Sequence, residues 1–274
     1  MGKLYLVGTP IGNLKDITLR AIETLKSVDV IACEDTRHSL TLLERYEISK
    51  PLISYHKFNE REAADKIAAL VKDGRSVALI TDAGMPGISD PGAAVVEKFR
   101  EEGLEVEAVP GVSAAVTAFS LSGIKSGGFT FVGFLPEKAK DKKELLEKLS
   151  GYIYPLIFYV APHDLFGAVK SLYEAFGDRT VYVAKELTQM HESVIKTTLK
   201  EFFLNSAKGE FVLIVEPSEA ENPLNSLSVE EHILSYMKMG ESKKDAIKLT
   251  AKDRGLSKDE VYKIAINLEL NKNN

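Results

Sequence analysis

Four consecutive reactive side chains, Glu34-Asp35-Thr36-Arg37, follow Cys33 at the end of the apolar run Val28–Ala32. Two carboxylates at such a point can take a proton, and a guanidinium presents a planar fork that suits phosphate oxygens. A local use is also open, in which Asp35 or Thr36 caps the next helix and Arg37 pairs with Glu34, but four functional side chains at one strand exit favour a substrate cleft. The neighbours His38 and Cys33 read as a surface residue and a small buried hydrophobe. Three glycine-bearing segments accompany this block, Val7–Leu14, Thr81–Gly92 and Val109–Ala115. Thr81–Gly92 holds three glycines and two prolines, an odd way to build a simple turn but a good way to expose backbone groups to a ligand. Val7–Leu14 is not a dinucleotide fingerprint, because Gly8 and Gly12 are four residues apart and Pro10 stands where a second glycine belongs. This weakens a nicotinamide-dependent dehydrogenase. The five histidines are scattered without ligand spacing, so no metal site is expected.

These segments need elements to hold them. Short runs rich in Val, Ile, Phe and Tyr alternate with amphipathic stretches of helical length, which predicts parallel strands joined by crossover helices. Strands are expected at Leu4–Gly8, Val28–Ala32, Leu52–Tyr55, Ser76–Thr81 and Glu105–Val109, with helices at Thr18–Lys26, Thr36–Tyr46, Glu60–Lys72 and Pro91–Glu102. Each candidate segment then sits at a strand exit, where open α/β sheets bind ligands. After the glycine-rich break Ser122–Gly128 comes a second α/β set. Its strands are expected at Phe129–Phe134, Leu156–Val160, Thr180–Ala184, Ser193–Thr198 and Glu210–Glu216, with helices at Lys142–Leu149 and Asp164–Phe176. Ser193–Thr198 follows its predecessor too closely for a crossover helix, so strand directions should be mixed.

Beyond Pro217 three helices are predicted, Val229–Met239, Lys243–Arg254 and Lys258–Leu270, two of them announced by Ser-x-x-Glu capping boxes at Ser228 and Ser257. They suit either a nucleic-acid-reading helix-turn-helix or a packing bundle. The expected domains are thus 1–122, 129–217 and 224–274. At 274 residues the chain is long enough for more than one core. One cysteine rules out an internal disulfide and fits a reducing compartment, and with neither a leader pattern nor a long apolar run, the cytoplasm is the expected location. A net charge of −5 argues against a protein that coats nucleic acid by bulk electrostatics. Local basic sites remain at Lys138–Lys143 and along the tail from Lys238 to Arg254, unless these are ordinary solvated helix faces.

The three strand-exit loops, in this order and spacing, resemble the tetrapyrrole-methylase superfamily of S-adenosylmethionine-dependent methyltransferases. Six blocks resemble one branch of it, whose members methylate the ribose 2′-hydroxyl of a cytidine in small-subunit (16S) ribosomal RNA. They are Val7–Leu14, Glu34–Arg37, Ser89–Gly92, Gly133–Pro136, Ala184–Thr188 and Lys208–Val212, and the likeness spans residues 3–217.

The resemblance implies two α/β domains with S-adenosylmethionine between them, held largely through backbone contacts. Thr9 and Pro10 would border the cofactor, Asp82, Ala83, Gly84 and Met85 would line it, Ser113 and Ala114 would meet it, and Val160, Leu187 and Pro217 would close over the adenosine. A base for the 2′-hydroxyl is expected among Glu34, Asp35 and Glu186, while Arg37, Ser89 and Asp90 would contact the RNA. The implied partner is small-subunit ribosomal RNA or the assembled subunit, with Lys243, Lys244 and their neighbours helping to dock it, and the implied oligomer is a homodimer. Two rival readings are a methylase of corrin or porphyrin precursors and a noncatalytic RNA-binding protein that keeps the fold.

Overall fold

A computed structural model describes residues 2–217 and 223–270. The parts of the expected 1–122 and 224–274 ranges beyond these lie outside the described residues. The chain divides into two compact units, Met1–Glu216 and Pro217–Asn274.

The first unit contains two five-stranded sheets. In one, β1 (Leu4–Val7), β2 (Val30–Cys33), β3 (Leu52–Ser54), β4 (Val77–Ile80) and β5 (Val106–Val109) are ordered β3-β2-β4-β1-β5, and every pairing is parallel. Crossover helices α1 (Leu19–Ser27), α2 (Thr36–Arg45), α3 (Glu60–Lys72) and α4 (Ala93–Glu101) cover both faces. This is why the inner strands read as unbroken apolar runs: Val77–Ile80 is buried throughout. One face packs Leu4, Leu79, Ile67 and Phe99 together, and the other packs Val7, Ile31, Leu25 and Leu43.

The second sheet holds β6 (Thr130–Phe134), β7 (Leu156–Val160), β8 (Thr180–Lys185), β9 (Ser193–Thr198) and β10 (Phe211–Val215) in the order β6-β7-β10-β8-β9. Its directions are mixed, as the short connection before Ser193 requires: β6 and β7 are parallel, and the other pairings antiparallel. Helices α6 (Ala139–Leu149) and α7 (Leu165–Phe176) pack on one face around Phe158, Leu172 and Leu213. α6 begins three residues before the expected Lys142, so part of the lysine-rich Lys138–Lys143 segment is its first turn. The opposite face is covered by α5 (Ala114–Ser122), which leaves β5 of the first sheet yet buries Ala115 and Ala118 against Ile157, Val212 and Ile214 of the second.

In the C-terminal unit, α8 (Val229–Lys238), α9 (Lys243–Arg254) and α10 (Lys258–Leu270) bury Ile233, Ala246, Ile247, Ala251, Val261 and Ala265 together. Both expected capping boxes form, with Glu231 and Glu260 accepting from the backbone N–H of Ser228 and Ser257. Arg254 is no solvated cation. Its guanidinium donates to buried His232 Nδ1 at 3.0 Å and to the carbonyls of Leu224 and Leu227, so it serves the fold of this unit. Among the described residues, no helix is long and apolar enough to cross a membrane.

Candidate active site

Because all five strands of the first sheet are parallel, the exits of β1, β2, β4 and β5 meet at one edge. They are tied together by side chains. The buried Thr9 hydroxyl donates to the carbonyls of Thr81 at 3.0 Å and Gly84 at 3.3 Å, and Thr9 and Gly84 also exchange backbone hydrogen bonds. Thr81 in turn donates from its hydroxyl to Glu34 Oε2 at 3.0 Å, and the N–H of Asp35 donates to Asp82 Oδ1 at 3.3 Å. Glycines set the spacing. A Cβ on Gly8 would stand 2.6 Å from the Gly111 nitrogen, and one on Gly12 would stand 2.8 Å from the Leu187 carbonyl oxygen. The first contact brings the β1 and β5 exits together; the second brings the β1 loop against the turn after β8.

Between this edge and the second sheet lies a cavity of about 650 Å³, within the range of small-molecule sites. Its polar wall comes from the strand exits: Glu34, Asp82, Gly84, Ser89, Asp90 and Ser113. Its apolar wall comes mostly from the second sheet: Phe131, Phe134, Tyr159, Val160, Leu187 and Val212. Four carboxylates, Glu34, Asp82, Asp90 and Glu210, line it, and no Lys, Arg or His does. Burial, with the charges of Glu34 and Asp82 nearby, pushes the Asp90 carboxyl up to about 6. The loop carrying Asp90 is pinned. Gly92 donates its N–H to Glu60 Oε1 at 3.0 Å, Gly87 donates to the Pro91 carbonyl, and Ser89 sits in the left-handed region at φ 63°. Across the cavity, the bulge in β6 between Phe131 and Gly133 leaves no side chain where Ser89 Oγ approaches: a Cβ on Gly133 would be 3.0 Å from it. The phenol oxygen of Tyr159 accepts the Ala115 N–H at 3.2 Å, and burial raises its pKa, so it stays protonated at neutral pH.

The residues expected from the sequence divide clearly. Glu34, Asp82, Ala83, Gly84, Met85, Ser89, Asp90, Ser113, Ala114, Val160 and Leu187 all line the cavity. Thr9 and Pro10 are buried behind it, with Thr9 bracing the loops. Asp35, Glu186 and Arg37 are not among the lining residues. Asp35 is the N-cap of α2: it accepts the Arg37 N–H at 2.8 Å, its side chain pairs with Arg37 rather than leaving that guanidinium to Glu34, and both contacts hold its carboxyl below the usual range. The Arg37 side chain is 90% exposed. Glu186 adopts φ 48° and lays its carboxylate over Gly209, whose absent side chain makes the space. Pro217 follows β10 at the start of the C-terminal unit. No site role is expected from the sequence for Phe129, Phe131, Phe134, Tyr159 or Glu210, although Phe134 and Glu210 fall within the Gly133–Pro136 and Lys208–Val212 blocks. Among the described residues, no group of three or more His, Cys, Asp or Glu is arranged to hold a metal ion.

Residues 3–202 match the family model for tetrapyrrole (corrin/porphyrin) methylases. The chain is 45% identical over 272 residues to ribosomal RNA small subunit methyltransferase I of Bacillus subtilis (strain 168), covering 96% of this chain and 93% of that protein. It is 38% identical over 275 residues to the protein of the same name from Escherichia coli O157:H7, covering 97% and 95%. Among solved structures, the uroporphyrin-III C-methyltransferase of Thermus thermophilus complexed with S-adenosyl homocysteine matches with a TM-score of 0.56 at 19% identity, covering 78% of this chain and 97% of that one. A diphthine synthase matches with a TM-score of 0.62 at 15% identity, covering 79% and 90%. The paired sheets, the glycine-spaced strand exits and these similarities place the chain in the tetrapyrrole methylase family, grouped with the ribosomal RNA small subunit methyltransferase I proteins.

Proposed function

We propose that this protein transfers the methyl group of S-adenosylmethionine to the ribose 2′-hydroxyl of a cytidine in small-subunit (16S) ribosomal RNA. The observation that carries the reading is the cavity lined by four carboxylates and no basic side chain, in a chain that aligns over nearly its whole length with rRNA methyltransferases. A sulfonium and an ammonium group are cations, and a wall of Glu34, Asp82, Asp90 and Glu210 is complementary to them. Apolar Val160, Leu187 and Val212 suit the adenine, and the start of α5, where Ser113 makes no side-chain cap, suits the carboxylate end. The residues therefore fit the donor, which supplies an activated methyl group. The protein's own work is to align the acceptor with that group and keep water out.

The acceptor must be unstacked before its 2′-oxygen can enter such a cavity. Phe134 lies at the rim, 55% exposed, with its ring 5.6 Å from that of Tyr159. It offers a face on which a displaced cytosine can stack. Arg37, exposed beside the same sheet edge, is available to a phosphate, and α9 adds the exposed Lys244 and Lys248 as docking charges. We assign residues 1–122 and 129–217 to two lobes of the catalytic part and 224–274 to substrate docking. The working form is taken as a cytoplasmic homodimer.

The test supplies methyl-labelled S-adenosylmethionine and small ribosomal subunits from a strain lacking the gene, with the labelled nucleosides identified by mass spectrometry. Label in 2′-O-methylcytidine is the expected result. Donor binding with no label in RNA would overturn the acceptor and turn attention to a small molecule.

A further inference from the structure

We infer that Asp90 is the base that takes the 2′-hydroxyl proton, and that Glu34 is a positioning residue that takes up the Thr81 hydroxyl and so leaves Asp90 free to accept. The inference rests on the proposed acceptor. Of the three carboxylates first expected to act as base, Asp35 is used as a helix cap and Glu186 lies over Gly209, so neither lines the cavity. Glu34 lines it but already accepts the Thr81 hydroxyl at 3.0 Å. Asp90 lines the same wall from a loop that is fixed at both ends, by the Gly92–Glu60 hydrogen bond and by the left-handed turn at Ser89. A base held this rigidly keeps its aim without further ordering.

The surroundings also tune it. Glu34 and Asp82 face Asp90 from the exits of β2 and β4, Glu60 anchors its loop from α3, and Tyr159 faces it from β7, with Glu210 on the far wall. Burial, and then the charges of Glu34 and Asp82, oppose ionisation of Asp90, and no cation lines the cavity. Its carboxyl is accordingly raised to about 6: ionised at neutral pH, yet a stronger base than a free aspartate. In the step itself, the 2′-O–H proton passes to a carboxylate oxygen of Asp90 while the ribose oxygen bonds the methyl carbon. The carbon–sulfur bond breaks and its electron pair stays on sulfur, leaving a neutral thioether, and Asp90 then loses the proton to solvent.

The experiment measures single-turnover methylation of small subunits from pH 5 to pH 9 for the wild type, Asp90→Asn and Glu34→Gln, with donor affinity by calorimetry as a check on folding. The wild type should rise to a plateau through an apparent pKa near 6. Asp90→Asn should lose roughly 10²–10⁴ of the rate and its pH limb even at donor concentrations that saturate the variant. Glu34→Gln, which removes the larger opposing charge, should move the limb to lower pH. Near-wild-type turnover by Asp90→Asn, or an unmoved limb in Glu34→Gln, overturns the assignment and leaves the acceptor standing. No label from the wild type overturns the acceptor, and the base with it.

Discussion

The two sheets of the first unit meet around one cavity but equip it by different means. The parallel sheet offers its strand exits, where loops carry carboxylates and bare backbone; the mixed sheet offers a face, where ordinary strand residues such as Phe131, Tyr159 and Val212 become a wall. The first contribution depends on glycines that let loops touch, the second on side chains that fill space. The two sides should therefore fail differently when changed: the exits through backbone displacement and charge, the wall through graded loss of contact.

Gly8→Ala should strike hardest. Its Cβ would stand 2.6 Å from the Gly111 backbone nitrogen, which cannot swing aside, as well as 2.8 Å from Met85 Sδ, so a loss of about 3 kcal/mol in urea unfolding is expected, together with loss of donor binding by calorimetry. An unchanged midpoint would show that the exits can part freely. Phe134→Ala tests the wall: acceptor affinity in filter binding should fall roughly 10- to 100-fold, the worth of one stacked base, and the donor should weaken much less. Equal losses would make the ring part of the donor site.

Asp90→Asn probes the exits by stability instead. A carboxyl raised to about 6 favours folding while protonated, and that contribution is complete below the unfolded value near 4 and lost as pH rises through 6. At pH 8 the ionised group therefore opposes folding, and the asparagine variant should be more stable. The full shift is worth near 3 kcal/mol, which partial solvent contact reduces to about 1.5 kcal/mol. The gain should vanish at pH 4; thermal melts at both values check it. Smallest is Ser228→Ala, which removes a capping box from the helical unit at a cost of about 1 kcal/mol and should leave donor affinity unchanged.

Much of the exit side was legible in the sequence, because the polar and glycine-rich runs after β1, β2, β4 and β5 interrupt an apolar pattern and stand out. Eleven expected residues from Glu34 to Leu187 do line the cavity. What sequence proximity could not separate was the use of neighbours. Glu34 and Asp35 are adjacent, yet Glu34 lines the cavity and Asp35 turns to cap α2. Arg37 pairs with Asp35 across a two-residue gap rather than with Glu34. The wall was legible only at Val160 and Leu187, and there only through the family resemblance. Phe129, Phe131 and Tyr159 carry the same apolar signature as core strand residues, and only the sheet's placement shows which face they line. Helix boundaries slipped where caps were weak: Lys138 begins α6 without a side-chain cap, whereas the capped starts at Ser228 and Ser242 fell where expected.

The path of α5 bears on how ligands arrive. The chain leaves the first sheet at Val109, and five residues later begins a helix whose small side chains are buried in the second, with Tyr159 bonded to its first turn. A connection that is short and packed at both ends acts as a tether, not a hinge. Swinging the sheets apart like jaws would strip Ala115 and Ala118 from their seats. Entry should then proceed through the rim by rotation of exposed side chains such as Ile88 and Phe134, on the fast timescale of rotamer exchange rather than that of domain motion.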